Sequence, residues 1–129
     1  MSVFAEELVD LAKARPDTLR FASSGEGSTN HLTAALFQML TKTRTVHVPY
    51  KGGGPALIDL IGGQIPMGVQ NVTTVVTYVR SGKLRALGIS GLERSPALPQ
   101  VPTVASQGFP GFEAREWYGF VAPGGTPAP

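Results

Sequence analysis

Cysteine is absent from this 129-residue chain, which excludes disulfide bonds, thiolate metal ligands and cysteine nucleophiles. The absence is compatible with the cytoplasm or the periplasm and does not choose between them. No apolar run approaches the roughly 20 residues that a membrane-spanning helix needs. The N-terminus also lacks a basic stretch followed by an apolar one, so we expect no export signal within this sequence.

The chain also has little net charge, because 11 Lys and Arg against 9 Asp and Glu give a formal net charge of +2. The basic residues are scattered and aromatic residues make up only 8% of the chain, which argues against nucleic-acid binding. A hydrophobic content of 42% indicates a folded domain, and 16 Gly with 11 Pro indicate many tight turns. At this length we expect one domain with one core.

Helical and strand patterns alternate along the chain. A first helix is predicted to end before Pro16, and each of the next three predicted strands leads into a helix. The predicted strands span residues 19–23, 45–48, 67–69, 84–90 and 117–122, with a short helical turn at 104–107. This order predicts an α/β fold, with a mostly parallel sheet flanked by helices and connected by right-handed crossovers.

The helices themselves carry three local predictions. Leu and Met recur at helical spacing in the second helix, which predicts that this face packs on the sheet; the residues are Leu32, Leu36, Met39 and Leu40. Pro55 fits the first position of the third helix. The valines between Val72 and Val79 combine helical spacing with β-branched side chains, and we favour a helix because Ser81 and Gly82 close the segment.

The stretch FASSGEGSTNHL, residues 21–32, takes a short apolar strand through a Gly-rich turn into an amphipathic helix. Gly25 and Gly27 let the backbone turn tightly and approach a ligand, and Ser28 or Thr29 stands at the expected N-cap. The first amides of the helix lack an intrahelical acceptor, so a carboxylate, phosphate or sulfate bound there gains hydrogen bonds and a favourable helix dipole. An ordinary capped helix after a tight turn is the alternative interpretation.

Nucleotide fingerprints fail at this turn. The third glycine of the dinucleotide pattern is replaced by Asn30, and no Lys-Ser/Thr pair follows Gly27 as in a phosphate-binding Walker loop. A second Gly-rich turn, residues 50–55, follows the next predicted strand. Because ligands bind beyond the carboxyl ends of parallel strands, both turns should lie on one rim. Lys51 on the second turn either contacts a ligand carboxylate there or faces water.

Catalytic and metal sites find little support in the residue pattern. His31 lies in the first turn of a helix and His47 within a strand, so a two-histidine metal site is disfavoured. The serines lack the G-x-S-x-G elbow and a His/Asp pair placed to activate them. Glu26 and Asp59 are the only acids near the turns and are interpreted as solvated. Trp117 is interpreted as a core anchor, with a place in the cleft as the alternative.

Six blocks of sequence, read in order, resemble one known family. They are SSGEGSTNHL from Ser23, VPYKGGGPAL from Val48, DLIGGQ from Asp59, GKLRAL from Gly82, RSPALP from Arg94 and VPTV from Val101. Together they resemble the substrate-binding proteins of tripartite tricarboxylate transporters, the TctC or Bug family, and the closing WYGFVAPGGTP is similar to that family's return to its other lobe. The chain departs from the family where Pro66 and Gln70 stand at usually acidic positions.

The resemblance implies one lobe of a type II periplasmic-binding-protein fold, in which two α/β lobes close over a small carboxylate. Residues 1–118 would form the ligand-binding lobe, and residues 119–129 would cross toward a second lobe that is missing here. The implied protein is a periplasmic receptor without enzymatic activity or cofactor. It would bind a di- or tricarboxylate for membrane transporter subunits, with a missing first lobe completing its pocket.

On this hypothesis the first turn is the main ligand cradle, and further contacts come from the second turn and from the end of the third strand. The candidate ligand-binding residues are Ser24, Gly25, Gly27, Ser28, Thr29, His31, Lys51, Gly52, Gly53, Gln70 and Asn71. A small enzyme that holds a phosphorylated substrate in the same cradle is one alternative, with Glu26, His31 or Lys51 as its titrating group. A lobe that associates with itself as a homodimer, or with another partner, is the other.

Overall fold

The computed structural model describes residues 4–127, so the outer ends of the two predicted units, residues 1–3 and 128–129, lie outside the described part. The elements in chain order are α1 (Phe4–Ala14), β1 (Arg20–Ser23), α2 (Thr29–Thr41), β2 (Val46–Pro49), α3 (Gly53–Ile61), β3 (Met67–Gly68), α4 (Val72–Arg80) and a short 3-10 helix (Ala105–Gln107). None of the helices in residues 4–127 has the length and apolarity needed to cross a membrane.

The three strands form one parallel sheet in the order β2-β1-β3. In the central strand Phe21, Ala22 and Ser23 are buried, because helices cover both faces of a parallel sheet. On one face Ala22, Ala56 and Ile65 form a compact apolar cluster. The predicted α/β fold with a parallel, helix-flanked sheet is confirmed, as are the helix after β3 and the helical turn near residue 105.

The prediction for the buried face of α2 is wrong. Leu32 is 59% exposed and Met39 is 69% exposed, whereas Thr33 and Thr41 are buried. Each of these threonines donates its hydroxyl hydrogen bond to a backbone carbonyl four residues earlier, which removes most of the cost of burying a polar group. The pattern of apolar residues therefore gave the wrong packing face for α2, because backbone carbonyls of the same helix accept the hydrogen bonds of the buried threonine hydroxyls.

The start of α3 also differs from its prediction. The helix begins at Gly53, so Pro55 occupies the third helical position and not the first. That position is still in the first turn, where a backbone N–H would have no intrahelical acceptor, so the proline is tolerated.

Two predicted strands are not formed. Residues 84–90 make only an isolated bridge, between Ile89 and Thr103, and both this segment and β3 line a cavity of about 620 Å³. Residues 117–122 pair with no strand in the described chain, and Trp117 is 84% exposed. The interpretation of Trp117 as a core anchor is therefore wrong.

Candidate functional site

Three helices begin at one edge of the sheet. Each strand leads directly into a helix, and because the strands are parallel the helices α2, α3 and α4 all start at the carboxyl edge. The two Gly-rich turns touch there, since the Gly52 N–H donates to the Ser24 carbonyl at 3.0 Å and the Tyr50 N–H to the Ser23 carbonyl at 3.1 Å. The prediction that both turns lie on one rim is confirmed.

Three amides of the first turn, those of Gly25, Gly27 and Ser28, have acceptors within the chain. The Gly25 N–H donates to Ser23 Oγ at 3.1 Å, and the Gly27 N–H donates to His31 Nδ1 at 3.1 Å. Ser28 is the N-cap of α2, and its Oγ accepts from the His31 N–H while its own N–H donates to the Gly25 carbonyl. The local pattern predicted the cap but not these internal acceptors.

Six amides with no acceptor in the described chain lie one step further on, in the first turns of the three helices. They belong to Thr29 and Asn30 in α2, Gly53 and Gly54 in α3, and Val72 and Thr73 in α4. None of the three helices carries an acidic residue in its first turn. The partial positive charge of each helix N-terminus is therefore left for an external anion.

Glycine is needed at two positions of this rim. Gly25 has a φ of 143°, and a Cβ there would lie 3.4 Å from the Tyr50 carbonyl oxygen of the second turn. Gly52, the N-cap of α3, has a φ of 104°. Residues that carry a side chain rarely adopt either backbone conformation, so these glycines allow the two turns to approach each other.

Asn30 was missed as a site residue because sequence reasoning used it only to reject a nucleotide fingerprint. Its side chain is buried, accepts a hydrogen bond from Ser24 Oγ at 3.3 Å and donates one to the Val69 carbonyl. Asn30 thus ties the first turn to the end of β3. The available signal was a polar residue in line with Thr33 and Thr41 on the packed face of α2.

Gln70 and Asn71 lie between β3 and α4, as predicted from their position after the third strand. Gln70 Nε2 is buried and has no hydrogen-bond partner among the described residues. Asn71 is the N-cap of α4, makes no side-chain cap and donates to the Tyr118 hydroxyl at 3.1 Å. Both line a cavity of about 260 Å³ at the rim together with Thr29, Asn30 and Tyr118.

The two histidines stack against each other beneath the first turn. The ring centroids of His31 and His47 are 3.8 Å apart at 15°, and the ring of Phe21 packs beside the pair, 4.9 Å from His47 and 6.4 Å from His31. Burial lowers the pKa of His47, the neighbouring His31 lowers it further, and Glu26 opposes the change. In-plane lone pairs of near-parallel stacked rings do not converge on one ion, and residues 4–127 hold no group of three His, Asp or Glu suited to a metal.

Ser23 has a histidine partner that the sequence did not indicate, because its Oγ lies 2.6 Å from His47 Nε2. Ser23 is completely buried and also bonds both backbone groups of Gly25, so its hydroxyl cannot reach a substrate. Among the charged candidates, Lys51 and Glu26 are exposed, and Asp59 accepts a hydrogen bond from the Tyr50 hydroxyl at 2.8 Å. That bond raises the pKa of Tyr50.

Both the sequence and the fold of the chain match known proteins. Residues 4–129 match the model of the tripartite tricarboxylate transporter family receptor. The chain is 43% identical over 121 residues to protein BugT of Bordetella pertussis, covering 94% of this chain and 37% of that protein. It is 41% identical to a structure described as a periplasmic transporter, with a TM-score of 0.87 over 95% of this chain and 41% of that one.

Two similar solved structures carry a named ligand. An R. palustris protein with adipate is 35% identical, with a TM-score of 0.80 over 84% of this chain and 36% of its own. MatC from Rhodopseudomonas palustris with bound malate is 33% identical, with a TM-score of 0.77 over 84% of this chain and 37% of its own. The chain thus spans little more than a third of the length of these relatives.

Proposed function

The chain belongs to the tripartite tricarboxylate transporter receptor family, a family of receptors and not of enzymes, and on that premise we propose that it forms one ligand-binding lobe of a periplasmic receptor. The ligand is a small organic carboxylate with two or three carboxyl groups. The receptor delivers it to membrane transporter subunits.

One observation carries the proposal: three helix N-termini without acidic first-turn residues meet at one rim and leave six backbone amides without acceptors. A carboxylate oxygen bound there accepts charge-assisted hydrogen bonds and compensates the helix dipoles. Thr29, Gly53 and their neighbouring amides are the principal donors, while Gly25, Gly27 and Ser28 shape the turn that places them. Ser24 and Gly52 hold the two turns together through their backbone bond.

Gln70 and Asn71 bind the second polar end of the ligand. Burying an amide donor without a partner is costly, and a carboxylate or hydroxyl oxygen in the adjoining cavity would remove that cost. Lys51 is the nearest exposed cation on the second turn and contributes long-range attraction. Adipate and malate, found with two relatives, both have two carboxylates and fit this division of the rim.

The rest of the pocket belongs to a polypeptide outside this chain. These relatives are about two and a half times as long, so a second lobe facing the rim would supply the opposing contacts. Residues 119–129 are then the segment that crosses toward that lobe. Two lobes closing over the ligand would exclude water and strengthen each hydrogen bond at the rim.

Amide chemical shifts during titration with malate and adipate test the proposal. We expect the largest shifts at Thr29, Asn30, Gly53, Gly54, Val72 and Thr73, with a saturable concentration dependence. Succinamide, which lacks the charges, and chloride at equal ionic strength serve as controls and should leave those amides in place. Shifts confined to exposed lysines, or equal responses to succinamide, would reject the carboxylate site.

A matched pair of variants separates the rim from general charge effects. Lys51→Ala should weaken the response through lost attraction, whereas Lys83→Ala, an exposed lysine after α4, should not change it. If both variants weaken the titration equally, net charge and not the rim attracts the anion.

A further inference from the structure

We propose that His31 and His47 are positioning residues for the first turn, residues 24–28, and that the grip of His31 on this turn requires a neutral His31 ring. The inference concerns the chain without ligand and does not depend on the proposed function. It rests on the stacking of the two rings and on the backbone groups that each ring fixes.

His31 fixes the turn from the helix side. Its Nδ1 accepts the Gly27 N–H at 3.1 Å, so the lone pair on that nitrogen must be free of a proton. The neutral ring therefore carries its hydrogen on Nε2. Adding a proton at Nδ1 places two donors face to face and breaks the bond to Gly27.

His47 fixes the turn from the strand side. Its Nε2 lies 2.6 Å from Ser23 Oγ, and that hydroxyl also bonds the N–H and the carbonyl of Gly25. His31 thus contacts Gly27 directly, and His47 contacts Gly25 through the Ser23 hydroxyl. The Phe21 ring packs beside both imidazoles, 4.9 Å from His47 and 6.4 Å from His31.

Stacking at 3.8 Å couples the two rings. Two imidazolium rings at this distance repel each other, so the first proton bound by the pair opposes the second. Glu26, on the exposed side of the turn, is the charged group that acts against this repulsion, and the remaining neighbours, Phe21 and Ser23, carry no charge. One proton on the His31 ring is therefore enough to break its bond to Gly27.

Nuclear magnetic resonance of the 129-residue chain tests this between about pH 8 and pH 5, where imidazoles titrate. The Gly27 amide shift should follow the protonation of the His31 ring with the same midpoint. Below that midpoint, the protection of the Gly27 amide from hydrogen exchange, corrected for intrinsic rates, should fall about tenfold per pH unit with the neutral population. The Ala56 amide in α3 serves as the internal reference and should stay protected.

Two variants keep the hydrogen bonds and remove the titration. His31→Asn retains an acceptor in the place of Nδ1, and His47→Gln retains a polar atom in the place of Nε2. His31→Asn should abolish the pH response of Gly27, and His47→Gln should preserve it while turning the coupled titration into a single step. A Gly27 amide that stays constant while the His31 ring titrates, or that responds equally in His31→Asn, would overturn the proposal.

Discussion

Replacing Asn30 with alanine perturbs the link between the first turn and the end of β3. The buried side chain makes two hydrogen bonds, one accepted from Ser24 Oγ and one donated to the Val69 carbonyl. Each such bond contributes about 1 kcal/mol, and a buried carbonyl left without a donor adds a desolvation cost of similar size. We therefore expect the free energy of unfolding to fall by about 2–3 kcal/mol.

Urea unfolding followed by circular dichroism measures this change, because a shift of the midpoint at constant slope reports stability. The matched control is Asn71→Ala, which removes the same side chain from another helix start. Asn71 makes one exposed hydrogen bond, to the Tyr118 hydroxyl, so its loss should cost no more than about 0.5 kcal/mol. If the two variants are equally stable, Asn30 does not tie the turn to the sheet and the reasoning fails.

Three further predictions concern the rim. Gly25→Val should lower the free energy of unfolding by about 1–3 kcal/mol in thermal unfolding, because its φ of 143° is strained for a side chain; a neutral result would contradict the geometry. Gln70→Leu should stabilise the ligand-free chain by about 1 kcal/mol by removing an unpaired buried amide, while weakening the malate titration; a destabilised variant would show that Nε2 has a partner. The pKa of His47 is lowered in the fold, so the unfolded chain binds more protons than the folded chain as pH falls through the ordinary histidine value. The free energy of unfolding should therefore decline from about pH 7.5 to pH 5, and His47→Gln should flatten that decline in urea titrations.

Local patterns predicted those parts of the fold that local interactions determine. Propensity, capping and spacing within a few residues predicted strand β1, the Ser28 cap and the helix that begins at Val72. The strand predicted at residues 84–90 is absent because a strand needs a neighbour, and this segment pairs only through the bridge from Ile89 to Thr103. Sequence alone cannot place that neighbour.

The shared rim of the two turns was predicted from the sequence, but the hydrogen bonds within the first turn were not. The sequence indicated a Gly-rich turn before a helix, yet it could not show that Gly27 donates to His31, or that Ser23 lies beside His47. The Ser23–His47 contact depends on the parallel register of β1 and β2, which puts Phe21 opposite His47. The predicted residues Thr29, Gly53, Gln70 and Asn71 do meet at the rim, and their contact with a ligand stays a prediction.

The dissociation constant of the 129-residue chain for malate tests most directly whether it supplies only part of a carboxylate site. If an intact receptor binds at micromolar strength, about −8 kcal/mol, half of its contacts leave about −4 kcal/mol and a millimolar constant. We predict millimolar binding by the isolated monomer, centred on the rim, and recovery of micromolar binding when a matching first lobe is joined to it. Micromolar binding by the isolated monomer would contradict the account.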